Sequence, residues 1–246
     1  MPATFSSGDA TLVLLSFDER EALEKILPRI PLALFDKVFA IDPGSTDGTL
    51  ELYSRAGIDV VIQEKRGRGE AFILGSTLAE TEYIVFLSVD GNEDPGDLPR
   101  MLELLRGGND QVIAGRFVQR GATSDDSDDP LRLRRAGATT FGILARLFFS
   151  TGVWDATNGY RGFRLKAMRR LRLDASGHEI EYQATIRAAK LGLRTVEFPT
   201  HELERLGGWR KRSAGTFALG WVTLVCLLRE LTGGLRFAGV DRISER

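Results

Sequence analysis

The sequence predicts an α/β fold: a mostly parallel central sheet flanked by helices, followed by a helical C-terminal extension. Three observations carry that prediction. Short apolar runs alternate with helical patterns through the first half of the chain, as in repeated strand–helix units. Turn-forming and acidic residues cluster directly after those runs. Near the C-terminus a basic loop precedes the longest apolar stretch, residues 217–228 (FALGWVTLVCLL).

Residues 11–17 (TLVLLSF) are continuously apolar up to their end, the pattern of a strand buried on both faces. Residues 19–29 place Ala22, Leu23, Ile26 and Leu27 at helical spacing, and Pro28 and Pro31 end the segment. Residues 37–41 (KVFAI) predict a second strand. The turn cluster 42–49 (DPGSTDGT) follows, with Ser45 or Thr46 available to cap a helix over 47–56. A third strand is expected over 58–62, a helix over 69–79 and a fourth strand over 82–87 (EYIVFL). An acidic loop over 88–97, a helix over 98–106 and a fifth strand over 111–114 (QVIA) complete the alternation.

The second half changes character. Residues 121–130 (GATSDDSDDP) predict a loop, solvated or closing as a lid over a bound ligand. Residues 131–150 predict a long helix, basic at its start through Arg132, Arg134 and Arg135 and apolar later. A polar, glycine-bearing loop is expected over 155–164, an amphipathic helix over 179–191 and a last strand over 194–198. A basic loop over 199–212 then leads to the final helix. The expected organisation is one domain over residues 1–212 with a helical extension over 213–246, packed on it or lying at a membrane surface.

Composition narrows the function classes. A chain of 246 residues, 43% of them hydrophobic, buries a core without staples. Its formal net charge of -1 excludes the strongly basic footprint of a general nucleic-acid binder. The single cysteine, Cys226, excludes an internal disulfide and a cysteine-cluster zinc site, and suits a reducing cytoplasm. His178 and His201 are too few for a multi-histidine metal site. The start of the chain lacks the basic and apolar segments of a signal peptide. The apolar run 217–228 falls short of the ~20 residues a spanning helix needs, and Arg229 and Glu230 close it. It is therefore expected to be mostly core, with Arg210, Lys211 and Arg212 suited to peripheral contact with an anionic membrane surface.

In an open parallel sheet, ligands bind beyond the carboxyl ends of the strands. Asp18 and Glu19 follow the first strand, Asp42 the second, and Asp90, Asn92, Glu93 and Asp94 the fourth; Arg116 follows the fifth. Acidic groups so gathered repel one another, and a divalent cation with hard oxygen ligands, Mg2+ or Mn2+, would relieve that repulsion. A metal with arginines is a common way to hold a diphosphate. The same acids also suit solvated loops and caps. Gly67-Arg68-Gly69-Glu70-Ala71-Phe72 begins like a dinucleotide fingerprint but ends on phenylalanine where a small residue is needed. Neither a GxxxxGK[ST] phosphate loop nor a GxSxG elbow occurs.

From about Thr11 to Lys211, these residues resemble in order and spacing the family 2 glycosyltransferases of the GT-A fold. The likeness is to the dolichyl- or polyprenyl-phosphate mannosyltransferase branch in particular. The family's opening Tyr-Asn-Glu stands as Phe17-Asp18-Glu19, and its Asp-Asp-Gly-Ser-Thr-Asp-Gly-Thr as Asp42 through Thr49. Its Gly-Lys-Gly-x-Ala is Gly67-Arg68-Gly69-Glu70-Ala71. The acidic metal motif is Ser88-Val89-Asp90-Gly91-Asn92, with Pro95 in place. Ala114-Gly115-Arg116-Phe117 matches the small-small-Arg-aromatic segment. Asp155 through Arg164 (DATNGYRGFR) and Arg205 through Lys211 follow the two later basic motifs. The departures are Ser88 for the first metal-motif aspartate, Pro43 for the second aspartate of the turn cluster, Arg210 for a serine, Gln183 for a glutamate and Leu15 for a proline.

The resemblance implies an inverting hexosyltransferase. It would move a hexose from a nucleotide-diphosphate sugar, of GDP-mannose or UDP-glucose type, to polyprenyl or dolichyl phosphate. Asp90 would hold Mg2+ or Mn2+ with help from Asn92. Phe17, Glu19 and Asp42 would line the nucleoside pocket, Arg116 would face the donor phosphates, and Arg161, Arg205 and Lys211 would grip donor or acceptor phosphate. Asp90, Arg116 and Arg161 are thus the expected catalytic residues. The expected location is the cytoplasm, peripheral at the cytoplasmic face of a membrane. Two alternatives stand beside this. A soluble acceptor would require a general base, for which Asp155, Glu179 and Glu181 are available. Ser88 and Pro43 also suit a nucleotide-sugar-binding protein without turnover.

Overall fold

The computed structural model describes residues 9–117, 133–203, 205–206 and 215–236. Its strands are β1 (Ala10–Leu15), β2 (Lys37–Asp42), β3 (Asp59–Ile62), β4 (Tyr83–Ser88), β5 (Gln111–Gly115), β6 (Arg161–Arg164) and β7 (Thr195–Pro199). They form one sheet in the order β3-β2-β1-β4-β6-β5-β7. β6 runs antiparallel to both neighbours, and every other pairing is parallel. The helices are α1 (Arg20–Ile26), α2 (Thr49–Arg55), α3 (Arg68–Leu78), α4 (Leu98–Arg106), α5 (Leu133–Phe149), α6 (Leu165–Arg170), α7 (Glu179–Lys190) and α8 (Thr216–Gly233).

The alternating pleat of β1 divides the core into two layers. Leu12 and Leu14 face α1 and α4, where Leu23, Ile26, Leu102 and Leu105 are buried. Val13 and Leu15 face α3, α6 and α7, with Phe72, Met168 and Ile180. On this second face Phe72 stacks on Phe86 at 4.0 Å between ring centroids, and Phe163 meets Phe86 edge-on at 6.4 Å. Both faces of the sheet are covered, which is why its central strands read as uninterrupted apolar runs.

Two expectations are corrected here. Residues 155–164 are not simply a loop, because Arg161–Arg164 forms β6 between β4 and β5. A four-residue strand with arginine at both ends and a glycine inside carries no strand pattern of its own. It is a strand because the gap between β4 and β5 needs one. α6, directly after it, was likewise not expected.

The second correction concerns the final helix. α8 is longer than the apolar run 217–228, and most of that run's large side chains are exposed. Its buried residues are Thr223, Cys226, Leu227 and Glu230. Phe217 is 86% exposed, Trp221 66% and Leu228 53%. Length and composition suffice for α8 to cross a membrane, but its inner face is fixed against α5 and α7. Glu230 is buried there, its two carboxylate oxygens accepting from Arg187 Nε at 2.8 Å and Lys190 Nζ at 2.7 Å. The loop over 121–130, Arg132, Arg210, Lys211, Arg212 and the boundary at residue 212 lie outside the described residues.

Glu230→Ala would leave Lys190 and Arg187 without their shared carboxylate, although Arg187 keeps Asp174 at 2.8 Å. The expected loss is about 3 kcal/mol, the lower end for removing one partner of a buried ion pair, read by urea unfolding. A change within about 0.5 kcal/mol, the usual range for a surface substitution, would show that the cluster does not hold α8.

Candidate active site

A cleft of about 590 Å³ opens where the carboxyl ends of β1, β2, β4 and β5 meet. α5 and α8 form its outer wall through Arg134, Arg135, Phe141, Leu219, Gly220 and Thr223. Phe17, Glu19, Asp90, Asn92, Arg116 and Arg205 all line it. The topology therefore gathers six of the nine expected site residues into one concavity.

The turns behind the cleft are organised by Asp42. Its Oδ1 accepts from the backbone N–H groups of Gly44 at 2.8 Å and Ser45 at 2.6 Å. Its Oδ2 accepts from Ser16 Oγ at 2.6 Å and Ser45 Oγ at 2.7 Å. This fully buried carboxylate is thus committed to the loops after β1 and β2 and does not line the cleft. Pro43 lines it instead. Phe17 follows β1 at the rim, with the Arg66 guanidinium 5.3 Å over its ring.

Glu19 sits beside Phe17 with its Oε2 buried and without a hydrogen-bond partner. Burial pushes its carboxyl up to about 8, and the negative charge of Asp90 adds to that shift while Arg205 opposes it. Glu19 is consequently a neutral acid at pH 7, able to donate a hydrogen bond into the cleft.

The acidic loop after β4 is clamped by the segment after β7. The amide of Leu203 donates to Asn92 O at 2.8 Å, and that of Leu206 to Asp90 O at 3.1 Å. Asn92 Nδ2 donates to Leu203 O at 2.7 Å, leaving its Oδ1 as the side-chain acceptor. Asp90 Oδ1 accepts the Asn92 amide at 3.1 Å, and its Oδ2 pairs with Arg205 Nε at 3.2 Å. Gly91 has φ +87 and packs so closely on Leu206 that a Cβ would collide with it. Asp94 points away, accepting from Arg29 at 3.1 Å and capping Gly96.

Arg116 is held by Asp155, which accepts from Nε at 2.7 Å, from Nη2 at 2.9 Å and from the Arg116 amide at 3.0 Å. Glu202 adds a pairing at 3.4 Å. Burial raises the Asp155 carboxyl, but the Arg116 charge and its hydrogen bonds outweigh this and leave it low. Asp155 therefore positions Arg116 and does not line the cleft. Among the three carboxylates considered as a general base, only Glu181 lines the cleft.

Arg161 is the clearest correction. It is fully buried in β6, away from the cleft. Its Nε donates to Asn158 O at 2.8 Å and its Nη1 to Glu181 O at 2.9 Å, and its Nη2 also donates to Asn158 O. It ties the loop before β6 to α7 through carbonyl oxygens rather than facing the cleft. Lys211 lies outside the described residues.

A second cluster joins residues that the sequence reading did not connect. Arg68, the first residue of α3, donates from Nη1 to Ser88 Oγ at 2.9 Å and from Nε to Glu181 Oε1, with Glu93 Oε1 at 3.6 Å from Nη2. Glu93 in turn accepts from the Ser88 amide at 2.6 Å and from its hydroxyl at 3.0 Å. Burial pushes the Glu93 carboxyl up to about 7, against the pull of Arg68. The positions are far apart in sequence, so only the Gly-Arg-Gly and Ser-x-Asp motifs could have signalled the pair Arg68 and Ser88.

Buried acids and arginines at the carboxyl edge of a mostly parallel sheet define the class: a nucleotide-sugar transferase of GT-A architecture. The family model "Glycosyl transferase family 2" matches residues 13–172, and the chain belongs to that family. Undecaprenyl-phosphate mannosyltransferase of Micrococcus luteus is 32% identical over 82% of this chain and 87% of its own. Polyprenol monophosphomannose synthase of Mycolicibacterium smegmatis is 29% identical over 86% of this chain and 84% of its own. Glycosyltransferase AglJ of Haloferax volcanii is 30% identical over 81% of this chain, which spans only 65% of AglJ. Glucosyl-3-phosphoglycerate synthase of Mycobacterium tuberculosis, solved with Mn2+, UDP and glucosyl-3-phosphoglycerate, superposes with a TM-score of 0.71. That match has 20% identity over 91% of this chain and 80% of that one, and it establishes the fold. The same enzyme has also been solved with Mg2+ and UDP.

The Glu19 shift sets a pH dependence. In the unfolded chain Glu19 ionises near 4.5, whereas in the folded chain it does so near 8. The folded state thus holds the extra proton between those values, and stability falls as pH rises through that window. Glu19→Gln should cancel the fall, so its stability relative to wild type should increase between about pH 5 and about pH 8 in urea unfolding. A difference that stays constant with pH would refute the assignment.

Proposed function

We propose that this protein transfers a hexose from a nucleotide-diphosphate sugar to polyprenyl phosphate, with inversion at the anomeric carbon. The observation that carries this reading is the composition of the cleft. Its floor is charged and carries arginines, while its outer wall is a helix pair whose far side is apolar and exposed. Such a site suits a substrate with a phosphate at one end and a hydrocarbon at the other. The names of the relatives support it, since they include an undecaprenyl-phosphate mannosyltransferase and a polyprenol monophosphomannose synthase.

In this reading Phe17, Glu19 and Pro43 flank the nucleoside. Arg116, held rigid by Asp155, and Arg205 face the phosphates, and they stabilise the charge that develops on the departing nucleoside diphosphate. Asp90 and the Asn92 Oδ1 are adjacent hard oxygen donors of the kind Mg2+ and Mn2+ take, and they would hold that cation together with the donor's own phosphates. When bound, the cation supplies further charge neutralisation on the diphosphate. The acceptor phosphate is already an anion near neutral pH, so positioning does most of the work and no strong base is required.

In this reading the protein works peripherally at the cytoplasmic face of a membrane, and the exposed apolar residues of the helix pair support the membrane contact. Leu147 of α5 is 70% exposed and Phe217 of α8 is 86% exposed, while α8 buries Thr223 and Glu230. An apolar face this large on a helix with a buried glutamate suits lipid rather than water. A soluble hydroxyl acceptor remains the second reading, favoured by one detail. Glu181 lines the cleft and keeps its Oε2 without a hydrogen-bond partner, although its Oε1 pairs with Arg68.

Incubation with a panel of nucleotide sugars and a short polyprenyl phosphate, followed by mass spectrometry, should yield one glycolipid and its nucleoside diphosphate. Nucleoside diphosphate without glycolipid would favour the soluble acceptor. In liposome flotation with anionic lipid, the wild type should float. Phe217→Asp with Trp221→Asp should reduce partitioning at least tenfold, since each large apolar side chain withdrawn from lipid costs about 1.5–3 kcal/mol. Wild-type protein that stays at the bottom of the gradient would remove the membrane from this reading.

A further inference from the structure

The charge balance of the cleft holds something that the donor-binding reading does not require. Three carboxylates, Glu93, Glu181 and Asp90, surround the end of β4 and the start of α7. A group of this kind ordinarily draws in a divalent cation. Here the space beside Ser88 is already taken by a cation of the chain itself. The Arg68 guanidinium bonds Ser88 Oγ at 2.9 Å, pairs with Glu181, and lies 3.6 Å from Glu93. Its seat is built to shape, because a Cβ on Gly159 would collide with the Arg68 Nη2. Ser88 suits this seat in a way aspartate would not. Its hydroxyl both accepts from Arg68 and donates to Glu93 at 3.0 Å, whereas a carboxylate there would face Glu93 across a repulsive contact. Asp90, the remaining acid of the motif, is paired with Arg205 at 3.2 Å. Among the described residues, no group of three or more His, Cys, Asp or Glu is arranged to hold a metal ion.

The geometry points to Arg68 as a built-in cation: seated on Ser88, it neutralises Glu93 and Glu181 at the phosphate side of the cleft, so that nucleoside diphosphate binds without a metal. A divalent cation then enters only on the donor's phosphates, through Asp90 and Asn92, and not on the protein alone. Arg68 is a further diphosphate-binding residue in this account, and Ser88 is the residue that positions it. The inference rests on the reading of the cleft as a nucleotide-diphosphate site.

The test measures binding rather than turnover. UDP and GDP are titrated calorimetrically into the full chain in EDTA and again in Mn2+. Mn2+ alone is followed by electron paramagnetic resonance. Affinity for whichever nucleotide binds is expected to change by less than about threefold between EDTA and Mn2+, and Mn2+ alone is expected to remain in its free spectrum until nucleotide is added. Arg68→Gln should weaken binding in EDTA by roughly tenfold or more, the scale of one lost charge-assisted contact. Ser88→Asp should make nucleotide binding depend on Mn2+, because the added carboxylate restores a repulsion that the metal relieves. A loss of more than about tenfold on adding EDTA to wild type would overturn the inference. So would Mn2+ binding to the nucleotide-free protein, or a folded Arg68→Gln with unchanged affinity. If Arg68→Gln does not fold, the wild-type comparison decides. Nucleotide binding under neither condition would overturn the inference together with the donor reading, whereas binding only with Mn2+ would overturn the inference alone.

Discussion

Carboxylates gathered at one edge of a sheet repel one another, and this cleft exists because arginines are set between them. Arg68 stands between Glu93 and Glu181, Arg116 between Asp155 and Glu202, and Arg205 against Asp90. Each pairing also joins elements that are distant in sequence. Arg68 ties α3 to α7, and Arg205 ties the segment after β7 to the acidic loop after β4. The binding surface and the tertiary closure of the fold are thus made by the same contacts. Removing one partner leaves a charge in a poorly solvated place, which costs more than the contact itself contributes.

How much of this was legible in the sequence varied with the range of the interaction. β1, β2, β4 and β5 were legible because strands covered on both faces are apolar throughout, and the acids that follow them were legible as loop chemistry at a sheet edge. β6 was not, because Arg161 and Gly162 occupy a strand only through the neighbours on either side. Arg161 illustrates the same limit at the level of function. An arginine inside a polar motif reads as a phosphate ligand, and only the packing of β6 against α7 turns it inward onto carbonyl oxygens. Asp42 was legible as an important residue but not as a buried one, since a turn-organising and a ligand-binding aspartate have the same local sequence.

α8 inverts the ordinary relation between pattern and burial. Its apolar run suggested a core helix, yet the residues that face the protein are Thr223, Cys226, Leu227 and Glu230. The inner face could be polar because α7 supplies Arg187 and Lys190 to meet Glu230. Beside that pair, Cys226 and Leu227 pack on Tyr182 and Ile186, and most of the remaining large apolar residues stay outside, adjoining the wall that lines the cleft. Nothing in the run 217–228 alone distinguishes the two arrangements, since the partners of Glu230 lie about forty residues earlier.

A fixed cation in a transferase site brings a constraint that a metal does not. A divalent ion that arrives with the donor can leave with the nucleoside diphosphate, whereas a guanidinium stays and continues to attract the product. Uniform attraction of substrate and product does not speed transfer; only attraction that grows as the diphosphate departs does so. Arg68 meets that constraint through its own pairings. Glu93 and Glu181 already share its charge, so the net field it offers a bound diphosphate is moderate. Glu93 is itself poised, since burial lifts its carboxyl to about 7 and its charge is therefore divided near neutral pH. On the proposed role of Arg68, arginine, serine and two glutamates together set a field that would orient a diphosphate and still let it leave.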